Sequence, residues 1–442
     1  MAEWTTVDIK AQGAAIGAGQ LDPRDLAEAY LDAATAHAES ANVYARLTPE
    51  RARAEAAAAA ERARTGQRHG PLDGVAISWK DNVDTAGIAT EAGSRLLEGR
   101  VPARDAPVLT QAGQAGLVCL GKTHLSELAF SGLGLNPMAA TAPNALMPGH
   151  APGGSSSGAA ASVALGLAGA GIGSDTGGSV RIPAAWNGLV GLKTTAGLIP
   201  TEGVVPLAAS LDTIGPLTRT VEDAALLLAA LTGKAVTAEV APAPRLLIAE
   251  TTVLEGCDAA PLAAFEAALA RLSAAGATLA RRPVPEFAQA FEIAARLSPL
   301  VTYEAWAHWG ATIQANPGVM YSPIERRFRQ GATLTPEADR AARAEYAALS
   351  ASLIERLGSH GLIALPSVPC LPPENQRLTE DDAYYTERNL LALRNTRLAN
   401  MLGLSALTLP LPEPACGLML FGPPGGEDAL IAAGRYLERV LL

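Results

Sequence analysis

An α/β fold is predicted by three features of the 442-residue chain. Short apolar runs alternate with helical periodicities along most of its length. The stretch from Leu128 to Leu192 carries only two formal charges, Asp175 and Arg181. A segment so poor in charge is predicted to be interior, with its two charges paired. Apolar residues make up 49% of the chain, ample for a large core. No internal repeat and no long linker interrupts it.

The elements follow in order. A helix is expected over 21–40, where Asp22 can cap, Pro23 suits the first turn, and Leu26, Tyr30 and Ala34 recur at helical spacing. An alanine-rich helix follows over 48–64, with Thr48 as cap and Pro49 at its start. Residues 74–80 read as a buried strand that ends in Lys80, beside Asp81, Asn82 and Asp84. A short helix at 106–115 leads to a strand at 117–120. Residues 132–152 are rich in Gly, Pro and Asn, and loops that long inside a compact domain are usually functional. A small-residue helix (158–167), a short extended run (170–173) and a strand (188–193) come next. Thr220 caps a helix over 220–231, with Asp223 three residues on. Beyond it lie a strand (245–249), a helix (261–275), a mostly helical region (284–357), a strand (362–365) and a helix (388–401). Strands at 404–410 and 417–422 and a helix at 427–441 complete the pattern.

Net charge is −10, from 34 basic and 44 acidic residues, which argues against nucleic acid or an anionic membrane as partner. Cys119, Cys257, Cys370 and Cys416 are far apart, as expected of reduced thiols rather than a disulfide framework or zinc site. The first residues, MAEWTTVDIKAQ, show no basic stretch followed by an apolar one. The apolar run 157–174 is broken by glycine and serine, unlike a membrane span. These features predict a cytoplasmic protein.

Chemistry concentrates in 153–195. Two serine-bearing glycine runs, 153–158 and 177–179, flank an apolar segment of small residues. Glycine lets backbone N–H groups approach a substrate atom closely, and several such groups around one point hold developing negative charge. Two other patterns compete. Gly116–Thr123 matches the phosphate-loop pattern that ends in Gly121-Lys122-Thr123, which would make the chain a nucleotide-binding protein. Its interior, LVCL, reads as strand rather than loop. Gly154-Ser-Ser156-Ser-Gly158 matches a nucleophile elbow, but no apolar strand precedes it. None of the six histidines, His37, His69, His124, His150, His308 and His360, occupies an evident acid–base position.

Three pieces occur together and in order: Lys80 within GVAISWKDNVDTAG (74–87), Gly153-Gly-Ser155-Ser156, and Asp175-Thr-Gly-Gly-Ser179-Val-Arg-Ile-Pro183. With LDTIGPLTRTVEDAALLL (211–228), they make the chain resemble the amidase signature family. The resemblance is weaker after about residue 240. It implies one large α/β/α domain around a mixed sheet. Within it, 1–66 would be a helical N-terminal region, 67–240 the catalytic core, and 241–442 a part that helps form the pocket.

The resemblance further implies hydrolysis of a small carboxamide through an acyl-enzyme, without metal or cofactor. Ser179 would be the nucleophile, Ser155 the bridging serine after a cis peptide, and Lys80 the base. The N–H groups of Thr176, Gly177, Gly178 and Ser179 would hold the oxyanion. Ser156, Asp175 and Arg181 would support them. A lysine acts as base only when neutral, and lowering its pKa to 7–8 requires about 3–5 kcal/mol of differential solvation. The charge-poor surroundings suit such a shift. Pocket residues are expected in 128–150 and 300–390, with Met138, Met320, Tyr321, Tyr384 and Tyr385 as candidates. A homodimer is one open arrangement. The alternative within the family is the glutaminase component of a tRNA-dependent amidotransferase, from which the C-terminal half is expected to depart.

Overall fold

The computed structural model describes residues 2–235, 242–358 and 361–442. His360 and the boundary expected near residue 240 lie outside them. Eleven strands form one mixed sheet: β1 (Tyr44–Leu47), β2 (Ala76–Lys80), β3 (Val118–Thr123), β4 (Gly171–Asp175), β5 (Val190–Lys193), β6 (Thr213–Thr218), β7 (Arg245–Glu250), β8 (Thr278–Pro283), β9 (Leu362–Pro366), β10 (Ser405–Pro410) and β11 (Gly417–Gly422). Their spatial order is β1-β3-β2-β4-β6-β5-β10-β11-β9-β7-β8.

Helices cover both faces, as the strands themselves show. Leu246 and Ile248 of β7 and Leu418 and Leu420 of β11 belong to one apolar core. The alternating Leu247, Ala249, Met419 and Phe421 belong to another. Side chains alternate across a strand, so a sheet with a core on each side needs apolar residues at every position. That is why the central strands read as continuous apolar runs.

Most predicted elements are present within a few residues. Asp22 caps the helix Pro23–Ala36 through Arg24 N at 2.9 Å. Thr220 caps Val221–Thr232 through Asp223 N at 3.1 Å. Thr48 departs from expectation: it makes no cap hydrogen bond to the helix Pro49–Thr65, and its hydroxyl donates to the Cys119 carbonyl at 2.9 Å. The helix expected over 388–401 is two, Asp382–Leu393 and Arg397–Met401. Three strands were not expected from the sequence. β1 is four residues long, and β8 is a largely exposed edge. β6 contains Gly215 and Pro216, residue types that disfavour a strand interior. A Cβ on Gly215 would sit 2.0 Å from the Leu192 carbonyl oxygen, so the close strand pairing here demands glycine.

The sheet sets up the site. β2 and β4 are parallel neighbours, with Ser78 opposite Gly171 and Trp79 opposite Ile172. Both therefore end at the same edge, and Lys80 arrives beside Ser174.

Candidate active site

Lys80 ends β2 and is wholly buried. Its ammonium donates to Ser155 Oγ at 2.7 Å, to Ser174 Oγ at 2.8 Å and to the Ser174 carbonyl at 3.3 Å. All three acceptors are uncharged. Burial lowers its pKa to about 7, against the opposing pull of Asp175 and Asp212. Ser155 follows a cis peptide from Gly154 and is also wholly buried. It lies just before the helix Ser157–Ala164, and Ser126 N donates to its carbonyl at 3.1 Å.

Ser179 sits between β4 and the helix Arg181–Trp186. Ser156 N donates to its carbonyl at 3.1 Å, so the two serine runs touch through their backbones. Among the described residues, the Ser179 hydroxyl makes no hydrogen bond to Ser155. Thus the structure links Lys80 to Ser155 directly and brings Ser179 alongside. Ser179 lines a cavity of about 180 Å³ together with Thr176 and Gly177.

Asp175 shapes the turn that carries these groups. Its carboxylate accepts from Gly178 N at 2.8 Å, Val180 N at 3.1 Å and Asn400 Nδ2 at 3.0 Å. Arg181 completes the shell and also donates to the Thr396 carbonyl at 2.7 Å and Asn400 Oδ1 at 2.6 Å. Burial alone would raise the pKa of Asp175, but Arg181 outweighs it and holds the carboxyl well below the usual range. Gly178 is therefore not equivalent to its neighbours, because its N–H is already engaged. The N–H groups of Thr176, Gly177 and Ser179 make no hydrogen bond among the described residues. Ser156 is buried, and its hydroxyl donates to the Ser174 carbonyl at 3.3 Å.

Two nearby groups were not anticipated. Ser174 Oγ accepts from both Lys80 and Asn82 Nδ2, the latter at 3.0 Å. Asp212 accepts from Thr176 Oγ1 at 2.5 Å and from Leu207 N at 3.0 Å, and burial raises its pKa to about 6. Asp212 lies within the 211–228 match, which was the available signal. For Ser174 the only clue was its place next to Asp175 at a strand end.

A family model described as Amidase matches residues 25–431. The chain belongs to the amidase family. A solved structure described as an amidase is 31% identical, with a TM-score of 0.89, covering 99% of this chain and 100% of that one. Among curated relatives, 2-amino-5-chloromuconic acid deaminase of Comamonas testosteroni is 36% identical over 90% of this chain and 88% of its own. A glutamyl-tRNA(Gln) amidotransferase subunit from Chloroflexus aggregans is 32% identical over 100% of this chain and 97% of its own. This amidase is thus an amidohydrolase of the amidase signature type. The last alignment runs through the C-terminal half, the part expected to depart from amidotransferase components.

The geometry of this amidase also disposes of the competing motifs. The phosphate-loop pattern is largely strand β3, and Lys122 is buried against Asp81 at 3.3 Å and Thr90 Oγ1 at 2.9 Å. Those N–H groups form a sheet ladder and cannot cradle a nucleotide. The elbow pattern has no strand before it. The two expected pocket regions do contribute, through residues such as Ala129, Phe130, Ser131, Leu300 and Arg327. The five individual candidates do not line the cavity. Tyr385 stands behind Ser131, donating to its hydroxyl at 2.7 Å, and Tyr321 packs edge-on against Tyr385. Met138 lines a different depression, and Arg377 stacks on Tyr384. No described helix is long and apolar enough to cross a membrane.

Proposed function

We propose that this amidase hydrolyses a small carboxamide to acid and ammonia through Ser179, Ser155 and Lys80. Ser179 attacks the amide carbonyl while its proton passes through Ser155 to neutral Lys80. The oxyanion is held by the N–H groups of Thr176, Gly177 and Ser179, in a site where each donor is worth about 3–4 kcal/mol. Gly178 instead fixes the turn through Asp175. Ser155 then passes the proton to the leaving amine, the C–N bond breaks, and an acyl-enzyme remains. Water enters by the reverse relay, breaks the acyl bond and restores Ser179.

The single observation that carries this reading is the Lys80–Ser155 contact at 2.7 Å, buried among uncharged acceptors. The open link between Ser155 and Ser179 is expected to tighten when substrate fills the cavity, as catalytic hydrogen bonds commonly do. A fluorophosphonate tests the assignment. Labelling at Ser179 supports it, and labelling at Ser156 would replace it with the elbow. We read 1–66 as a mostly helical N-terminal region that also supplies edge strand β1, 67–240 as the catalytic core and 241–442 as pocket-forming. Leu300, Arg327 and Arg397 on the cavity wall support the last assignment.

A second reading is ammonia release from glutamine within a multi-component amidotransferase. The full-length alignment with the amidotransferase relative favours it. Glutamine hydrolysis that appears only when partner proteins are added would establish it.

A further inference from the structure

Two arginines line the Ser179 cavity, and among the described residues neither is in an ion pair. Arg327 stacks on the Phe130 ring at 4.1 Å and donates to the Phe130 carbonyl at 2.9 Å. Arg397 stacks on the Phe291 ring at 4.6 Å, and its buried Nε has no hydrogen-bond partner. Both guanidinium groups are half-buried and both face the cavity that holds Thr176, Gly177 and Ser179.

This arrangement is costly in hydration. A guanidinium removed from water loses hydration that only an anion or good acceptors can replace. Elsewhere in the chain, arginines taken from solvent are matched either with acids, as Arg181 is with Asp175, Arg62 with Asp73, and Arg46 with Asp81 and Glu91, or with several carbonyls, as Arg219 and Arg394 are. Arg327 and Arg397 have only aromatic faces and one carbonyl. Burial, opposed by Tyr385 and aided by the like charge of Arg397, brings Arg327 down to about 10, so it remains a cation at neutral pH. Two mutually repelling cations beside an open cavity define an anion seat, and guanidinium forks match carboxylate oxygens.

The described cavity lining contains no aspartate or glutamate. It therefore offers a carboxylate two cationic partners and an ammonium group no anionic one. The apolar residues between, among them Leu207, Leu300 and Leu393, suit a hydrocarbon spacer.

We propose that Arg327 and Arg397 seat a carboxylate on the acyl side of the substrate, making the preferred substrate a monoamide of a dicarboxylic acid without an α-ammonium group. This rests on the reading of Ser179 as nucleophile and supplies the substrate class that reading leaves open. It also separates the two functional readings, because glutamine carries an ammonium group that would lie beside two cations with no anionic partner in the lining.

The test compares kcat/KM for succinamate, glutaramate and adipamate with the neutral butyramide, valeramide and hexanamide, and with glutamine. The wild type is expected to prefer at least one amidate over its neutral counterpart by about tenfold or more, and over glutamine as well. Arg327→Met and Arg397→Met are each expected to reduce that preference ratio by about tenfold, mainly through KM, with Arg→Lys restoring part of it. Fluorophosphonate labelling of Ser179 reports whether each variant has folded, and where a Met variant fails to label, the Lys variant carries the comparison. Equal kcat/KM for charged and neutral amides, with wild-type labelling intact, would overturn the anion seat while leaving the nucleophile assignment standing. Glutamine as the best substrate would also overturn it. Failure of the wild type to label at Ser179 would overturn both.

Discussion

The Asp175 carboxylate is bound edge-on by Arg181, through Nη2 at 2.9 Å and Nε at 3.0 Å, with both side chains fully buried. The same carboxylate caps Gly178 N and Val180 N. One ion pair therefore fixes the turn on which Ser179 rides. Replacing Asp175 by Asn leaves a buried guanidinium uncompensated. The expected loss is about 3–5 kcal/mol of stability, read from urea unfolding. Asp175→Asn combined with Arg181→Met is expected to lose less than the single variant, because no charge is stranded.

Lys80→Met is expected to abolish hydrolysis while leaving the fold intact. Removal of a general base typically costs about 10²–10⁴-fold in rate. In the wild type, kcat/KM is expected to rise with pH through about 7, as Lys80 loses its proton. Wild-type turnover in Lys80→Met would refute the base assignment.

The same lysine makes a stability prediction. Its folded pKa of about 7 lies below the ordinary value of 10.5, so between those values the unfolded chain binds more protons. Stability contributed by neutral Lys80 therefore grows as pH rises through this window and is lost as pH falls through it. Lys193, also buried and lowered to about 7 with Arg181 adding to the effect of burial, acts in the same direction. Unfolding measured across this range is expected to show a smaller rise in Lys80→Met than in the wild type.

Gly178 has φ +134°, and a Cβ there would lie 2.1 Å from Thr396 Oγ1. Gly178→Ala is expected to displace the turn and slow fluorophosphonate labelling of Ser179 by about 10²-fold or more, the scale of one lost oxyanion donor. Gly178→Ala with Thr396→Ala removes the clash but not the unfavourable φ. Only partial recovery is expected.

Ser174→Ala removes an acceptor that favours charged Lys80. The midpoint of the pH profile is expected to move to lower pH, because hydrogen bonds to the charged form raise a lysine's pKa. A pH–rate profile of kcat/KM reads the shift directly. An unmoved midpoint would mean that Ser174 does not tune the lysine.

Much of the site was legible because its chemistry is local in sequence. Lys80 at a strand end, the Gly-Ser runs and the isolated Asp175 and Arg181 are visible as residue types in a charge-poor stretch. Continuous apolar runs likewise marked the buried strands, since a sheet covered on both faces needs apolar side chains at every position. β6 escaped because Gly215 and Pro216 carry turn propensities, which the close approach of Leu192 overrides. By itself, then, the sequence determined the α/β class and marked the two serine runs and Lys80 as the candidate site. Tertiary structure decided the rest: which N–H groups are left free, that Ser174 completes the surroundings of Lys80, and that Arg327 and Arg397 line the cavity that holds Ser179. These relations join residues far apart along the chain, and only the sheet register and helix packing bring them within hydrogen-bonding or electrostatic range.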